Sequence, residues 1–262
     1  MTSYTVNASI LLTDVPIERR PSAVAEAGFG AVEFWWPFTR AVPTDSAIDG
    51  FVNAIRDAGV QLSGLNFFAG DMPAGDRGLV SWLGRESEFR DNVDVVVGIG
   101  AQLGCRAFNA LYGLRADGVD PAAAEELAVE NLRLAADKVS LIDGTVLLEP
   151  ISGASAYPLK TAADALGVIN RVGAKNLKLL ADLYHLAVNG DQVATVIANH
   201  AADFGHVQIA DNPGRGRPGS GRLPLAEWLA AATAGGYDGY IGLEYIDNSD
   251  DPFGWLPRDQ RS

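Results

Sequence analysis

A closed α/β barrel, one (β/α)8 domain spanning residues 1–262, is the architecture this sequence predicts. Three observations carry that expectation. Eight short apolar runs recur from end to end, helical patterns separate most of them, and 262 residues is an ordinary length for one such barrel. The rival, an open doubly wound sheet, more often shows a Gly-x-Gly-x-x-Gly turn after its first strand, and residues 9–16 hold no such glycines.

The strands are expected at residues 5–12, 31–35, 61–67, 106–111, 145–149, 177–182, 205–210 and 240–245. Most are apolar at successive positions, as expected when both faces are covered. Between them, residues 47–58 place Ile48, Phe51, Val52 and Ile55 at helical spacing, and Gly59 stops the run. A second helix is expected over 88–103 on Phe89, Val93, Val96 and Leu103. Residues 121–142 follow an N-cap at Asp120, with Pro121 in the first turn and a stripe of Ala128, Leu132, Ala135 and Val139. Thr161 caps 162–172, and 191–202 and 224–234 complete the set. A weak internal echo links Ala27-Gly28-Phe29…Val32-Glu33 with Gly235-Gly236-Tyr237…Leu243-Glu244: helix stop, aromatic, strand, terminal Glu. Two connections are long and glycine-rich, 69–85 and 211–222. Both follow strands, so both belong on the C-terminal face, as lids or as plain surface loops.

Composition narrows the function. The formal net charge of -13 repels phosphate backbones and anionic lipid, so neither nucleic acid nor a membrane is an expected partner. An acidic substrate then needs local cations. The lone Cys105 allows no intramolecular disulfide, the first residues show no signal peptide, and no apolar run approaches a membrane span, so a cytoplasmic protein is expected.

The chemistry sits at consecutive strand ends. TVLLEP ends at Glu149, LKLLAD at Asp182, GHVQIAD carries Gln208 and YIGLEY carries Glu244. Adjacent strands lie about 4.8 Å apart, so these side chains can meet at the barrel mouth. Three bare carboxylates would repel, and a divalent cation removes the conflict while accepting the amide oxygen of Gln208. Oxygen-only ligation favours Mg2+ or Mn2+. The alternative is that each acidic residue caps the next helix or pairs with an arginine. An arginine standing at that point in place of an ion counts against the cation reading. His185, in DLYH, either orients a substrate oxygen, hydrogen-bonds Glu149 or is structural. His206 shares a face with Gln208 and is either a barrel-interior partner or structural, and His200 belongs at the surface.

Several longer stretches resemble one family. LNFFAGDMPAGDRGLVSWLGRESEFRDNV is similar to the loop after strand three of hydroxypyruvate isomerases, and LLEPI, DLYH, GHVQIADNPGR, PGSG and YIGLEY follow in family order. The resemblance covers about residues 4 to 246. Its wider group is the xylose isomerase-like TIM barrels. It implies interconversion of hydroxypyruvate and tartronate semialdehyde, metal ligands at Glu149, Asp182, Gln208 and Glu244, and acid–base roles for Glu149 and Glu244. It further implies a substrate-side His185, with Arg215, Asn7 and Asn66 as other substrate contacts. The implied partner is a small hydroxy-oxo acid. Trp35, Trp36, Phe67 and Phe68 suit either the pocket or a contact in a homo-oligomer.

The chain departs from the family wording at Ser152, where many members have Asn, and at Arg217 and Arg222. Those arginines, with Arg77 and Arg85, either suit a longer or more acidic substrate, such as a 2-oxo-tetronate, or face solvent. A ketose 3-epimerase is a weaker alternative, because such enzymes tend to have His where this chain has Gln208. A nuclease with a histidine-rich site fits poorly with three histidines and a charge of -13.

Overall fold

The eight apolar runs pair in sequence order into one closed ring. In the computed structural model, which describes residues 3–261, all strand pairs are parallel and β8 returns to β1. Met1, Thr2 and Ser262 lie outside the described residues, and with them part of the N-terminal segment read above. The strands are β1 (Tyr4–Asn7), β2 (Ala31–Phe34), β3 (Gln61–Asn66), β4 (Ala107–Asn109), β5 (Thr145–Leu148), β6 (Leu177–Asp182), β7 (Phe204–Ile209) and β8 (Ile241–Leu243). Among the described residues, no helix is long and apolar enough to cross a membrane.

The helices form an outer layer: α1 (Arg20–Glu26), α2 (Asp45–Ala58), α3 (Glu86–Leu103), α4 (Pro121–Ser140), α5 (Ala162–Val172), α6 (Leu183–Val188), α7 (Val193–His200) and α8 (Leu225–Ala234). Their starts are chemically marked. Thr44 accepts a hydrogen bond from the Ala47 amide, Asp120 from Ala122, and Thr161 with Asp164 closes a capping box. The stripe expected on α4 is buried at Ala128, Leu132, Ala135 and Val139.

Three differences from expectation have local causes. β1 ends at Asn7 and not at residue 12: the Asn7 carbonyl accepts from Ile10 and Leu11, its Oδ1 accepts from Ser9, and the guanidinium of Arg20 collects the carbonyls of Ala8, Thr13 and Val15. A turn thus consumes the backbone groups a longer strand would need. Helix α1 is seven residues long and too short to show a stripe. Helix α6 was hidden because its cap is Asp182, whose Oδ1 accepts from the amides of Tyr184 and His185.

The internal echo is a repeated turn. Gly28 and Gly236 both hold positive φ, 93° and 103°. Phe29 and Tyr237 then donate backwards to the carbonyls of Val24 and Ala232. Only a residue without Cβ adopts that conformation at little cost. The two turns deliver Glu33 and Glu244 to matching ends of β2 and β8, on either side of β1.

Candidate active site

Three of the four expected strand-end side chains, Glu149, Asp182 and Glu244, meet, and Gln208 lies on the neighbouring strand. Glu149 follows β5, Asp182 closes β6, Gln208 lies in β7 in register with Asp182, and Glu244 follows β8. All are buried, Asp182 completely. Ligand atoms of Glu149, Asp182, Glu244 and His185 lie within 4.8 Å of one another.

An arginine stands there too, which the cation reading had counted against itself. The guanidinium of Arg215 pairs with Glu244 Oε2 through Nη2, reaches Asp182 Oδ2 at 3.5 Å, and donates Nε to the Glu244 carbonyl. Asp182 therefore does what the alternative reading said, capping a helix with one oxygen and meeting an arginine with the other. Two observations keep room for a cation. One guanidinium faces three buried carboxylates, and among the described residues the carboxylate of Glu149 has only the amide of Asn109, at 2.7 Å, as hydrogen-bond donor. The Oε1 of Gln208 is buried with no hydrogen-bond partner among the described residues. Three clustered carboxylates short of positive charge, with an unclaimed amide oxygen on the strand next to Asp182, supply the oxygen donors of a hard divalent cation, so the residues fit such an ion.

The electrostatics agree. Burial pushes Glu149 well above the ordinary carboxylate range, and the charges of Glu244 and Asp182 push further, while Asn109 and Arg215 oppose without cancelling. Burial raises Glu244 to about 7 against the pull of Arg215. Burial raises Asp182 likewise. Burial, helped by Arg215, drives His185 down to about 3, so its ring is neutral. The Ser152 amide donates to His185 Nδ1 at 3.1 Å. A backbone N–H only donates, so Nδ1 carries no proton and Nε2 does. His185 thus offers an N–H toward Asp182 Oδ2, 3.6 Å away, and serves as a donor and not as a ligand.

A carboxyl whose folded pKa exceeds its unfolded value binds more protons folded than unfolded between the two. The stability this cluster contributes therefore falls as pH rises from the ordinary 4.5 through about 7. With a chelator present, Tm is expected to drop across that window. Added Mn2+ is expected to raise Tm strongly at about pH 8 and little at about pH 5. Equal Mn2+ shifts at both values would remove this cluster as the cation site.

Glu149 and Glu244 line a cavity of about 1090 Å³ together with Trp35, Asn66, Phe68, Arg77, His185 and Arg215. Loop 69–85 forms one side of it, as its position after β3 implies. Its extra arginines are committed: Arg85 grips Glu88 and Asp76, and Arg77 Nη1 binds the carbonyls of Met72 and Asp76. Arg217 reaches Asp247 at 3.7 Å, and Arg222 is exposed and away from the cavity. Asn66 lines the cavity. Asn7 is buried beneath it, its Nδ2 shared between Glu244 Oε1 at 2.9 Å and Glu33 Oε1 at 3.2 Å. Trp35 Nε1 also donates to Glu244 Oε1, at 2.7 Å. His206 donates Nε2 to Glu33 Oε2 at 2.6 Å, inside the barrel, and His200 lies on the outer helix layer beside Asp203. Phe67 is fully buried against Phe89 and Phe108. Sequence reasoning missed Asn109, and it missed Glu33 as part of this network, although the echo motif had marked Glu33 as a strand-terminal acid.

The family model described as xylose isomerase-like TIM barrel matches residues 21–261. A putative hydroxypyruvate isomerase of Streptomyces coelicolor is 50% identical, covering 99% of this chain and 97% of its own. A 2-oxo-tetronate isomerase of Cupriavidus necator is 32% identical, with 98% of each chain covered. A solved structure described as an AP endonuclease, family 2, from Brucella melitensis superposes with a TM-score of 0.89 at 33% identity, covering 98% of each chain.

Proposed function

The chain belongs to the hydroxypyruvate isomerase family of xylose isomerase-like TIM barrels and is an isomerase, and from that premise we propose that it interconverts hydroxypyruvate and tartronate semialdehyde (2-hydroxy-3-oxopropanoate) by proton transfer through an enediolate. The observation that carries this reading is the pair of buried glutamates in one cluster that lines the cavity, Glu149 raised above the ordinary carboxylate range and Glu244 raised to about 7. A carboxyl poised near the working pH both takes and returns a proton with little penalty.

In this reading Glu149, Asp182, Gln208 and Glu244 hold one divalent cation, Mg2+ or Mn2+. What a bound cation supplies there is Lewis-acid stabilisation of the charge that develops on the enediolate oxygens. One of the two glutamates removes the proton from C3 of hydroxypyruvate, and the other returns one to C2. The hydroxyl proton leaves O3 and the oxygen on C2 gains one, so the product is the isomeric aldehyde with no change in redox state. His185 donates its Nε2 proton to a substrate oxygen. Arg215, with Nε and Nη2 engaged by Glu244 and Asp182, turns its remaining edge to the substrate carboxylate. Trp35 and Phe68 in the cavity wall limit water near the intermediate.

The cavity volume favours a second reading. About 1090 Å³ exceeds the roughly 300–1,000 Å³ typical of pockets for drug-sized ligands, and a three-carbon acid fills little of it. A four-carbon 2-oxo-tetronate follows the same route with more of the cavity used. A nuclease role does not suit the chain: the cluster holds a single histidine and the net charge is -13.

The test is a panel of three- to six-carbon hydroxy-oxo acids and free ketoses, assayed with Mg2+ and with Mn2+. Hydroxypyruvate is expected to turn over, with activity lost on chelation and restored by the cation. The ratio of kcat/KM for the three- and four-carbon acids decides between the two readings. Activity on free ketoses alone would overturn both.

A further inference from the structure

We propose that Glu33 is a positioning residue for the cation site: it fixes the amide of Gln208 so that the carbonyl oxygen is left free to bind the ion. The proposal rests on the cation reading above and adds a residue from the opposite side of the barrel.

Glu33 lies in β2, 3% exposed, with its carboxylate inside the ring. Three buried donors meet it. Gln208 Nε2 donates to Oε1 at 2.7 Å, Asn7 Nδ2 to the same oxygen at 3.2 Å, and His206 Nε2 to Oε2 at 2.6 Å. Strands β2 and β7 are not neighbours, so these contacts cross the barrel interior past β1 and β8. Gly242 of β8 makes the crossing feasible. A Cβ there would stand 2.7 Å from Gln208 Cγ, 2.8 Å from Glu33 Oε1 and 3.0 Å from His206 Nε2.

An amide side chain has two faces that are easily exchanged, one donating and one accepting. Oε1 of Glu33 is fixed as an acceptor by Asn7, whose own Oδ1 is taken by the Ser9 amide so that its NH2 must face Glu33. With Glu33 on one side, the NH2 of Gln208 must face it and Oε1 must face away. That oxygen is then the buried acceptor that has no partner among the described residues. Leaving a buried acceptor unmet is costly unless a ligand meets it. Glu33 also shares the Asn7 amide with Glu244, so one carboxylate supports two of the expected ligands. Partners of this kind set the orientation of metal ligands, and their loss commonly weakens binding by about 10–100-fold.

The test is a Mn2+ titration followed by the EPR signal of the free ion, with far-UV circular dichroism as the check on folding. Glu33→Gln is expected to weaken Mn2+ binding about 10–100-fold with an unchanged spectrum, because a carboxamide at position 33 lets the Gln208 amide turn its NH2 inward. The double variant Glu33→Gln/Gln208→Glu is expected to regain much of the affinity. In it the carboxamide at position 33 accepts from His206 and donates to the new carboxylate at position 208, which keeps a second oxygen for the ion; Asn7 loses its longer bond to position 33 and keeps the one to Glu244, and the net charge is that of the wild type. Unchanged affinity in Glu33→Gln overturns the proposal. So does a folded double variant that recovers nothing, since the loss would then be one of general structure. If Glu33→Gln does not fold, Glu33→Asp, which keeps an acceptor-only group one methylene shorter, is expected to bind measurably more weakly, and unchanged affinity there overturns the proposal too. A wild-type protein that binds no Mn2+ overturns the cation reading itself, and the role of Glu33 falls with it.

Discussion

Glu149→Gln and Glu244→Gln are each expected to lower proton exchange between substrate and solvent by roughly 100-fold or more, the usual loss when an acid–base group is removed. The substitution keeps volume and one ligand oxygen but removes the proton acceptor. Its structural side effects differ between the two sites. Among the described residues the carboxylate of Glu149 accepts one hydrogen bond, from Asn109, and an amide there can keep it by presenting its oxygen. Glu244 accepts from Asn7 and Trp35 on one oxygen and from Arg215 on the other, so an amide must set an NH2 against a donor on one side. Glu149→Gln is thus the cleaner test of chemistry, and Glu244→Gln is expected to show a lower Tm as well. Following deuterium uptake at C2 and C3 separately assigns the two protons. Near-normal exchange at both carbons in either variant would remove that glutamate from the mechanism.

The ligand cluster was legible because of where it sits. Glu149, Asp182 and Glu244 each end an apolar run, and in a parallel barrel all such ends share one face. Glu33 lies inside an apolar run, and its echo with Glu244 was visible, yet its partners were not. Asn7 reaches it from the paired strand β1, but His206 and Gln208 meet it only because the ring closes, which brings Gln208 to Glu33 across 175 positions that no local pattern connects. Arg215 shows the opposite limit. Its place in the loop was clear, but its backbone φ of 55° and its turn into the carboxylates depend on hydrogen bonds made by the loop as a whole. The pairing of Arg85 with Glu88 is a local i,i+3 contact and was within reach of sequence reasoning. Weighing that arginine as a free cation overlooked a neighbour three residues away. Element bounds failed where side chains captured the backbone, as Asn7 and Arg20 do after β1.

Asp211→Asn is expected to cost about 3 kcal/mol or more and to lower kcat/KM through Arg215. Asp211 is buried at the start of the 211–222 loop. Its Oδ1 accepts from the amides of Asn212 and Leu223, and its Oδ2 from those of Gly219 and Gly221. Burial alone would raise its pKa, but these four hydrogen bonds outweigh burial and hold it below the ordinary value. Asparagine has nearly the same shape, yet one end becomes an NH2 that faces two N–H donors. Two hydrogen bonds to a charged group are lost, each worth about 1.5–3 kcal/mol. For a chain of this size that is a fall in Tm of about 6–12 °C. The loop's other anchors are the paired backbone groups of Asp211 and Gly216 and the bond from the Ile246 amide to the Arg215 carbonyl. They hold Arg215 in a left-handed conformation that costs about 1–3 kcal/mol and persists only while its surroundings impose it. Once the loop loosens, the guanidinium leaves the carboxylates, and substrate binding suffers with it. The pH dependence separates this cause from a general packing defect. A carboxylate with a depressed folded pKa stabilises fully above its unfolded value and loses that contribution as pH falls through the folded one. The Tm difference between wild type and Asp211→Asn is therefore expected to be full at neutral pH and to shrink below the carboxylate range. A difference that stays constant into acid, or a variant with wild-type Tm and kcat/KM, would show that Asp211 does not organise this loop.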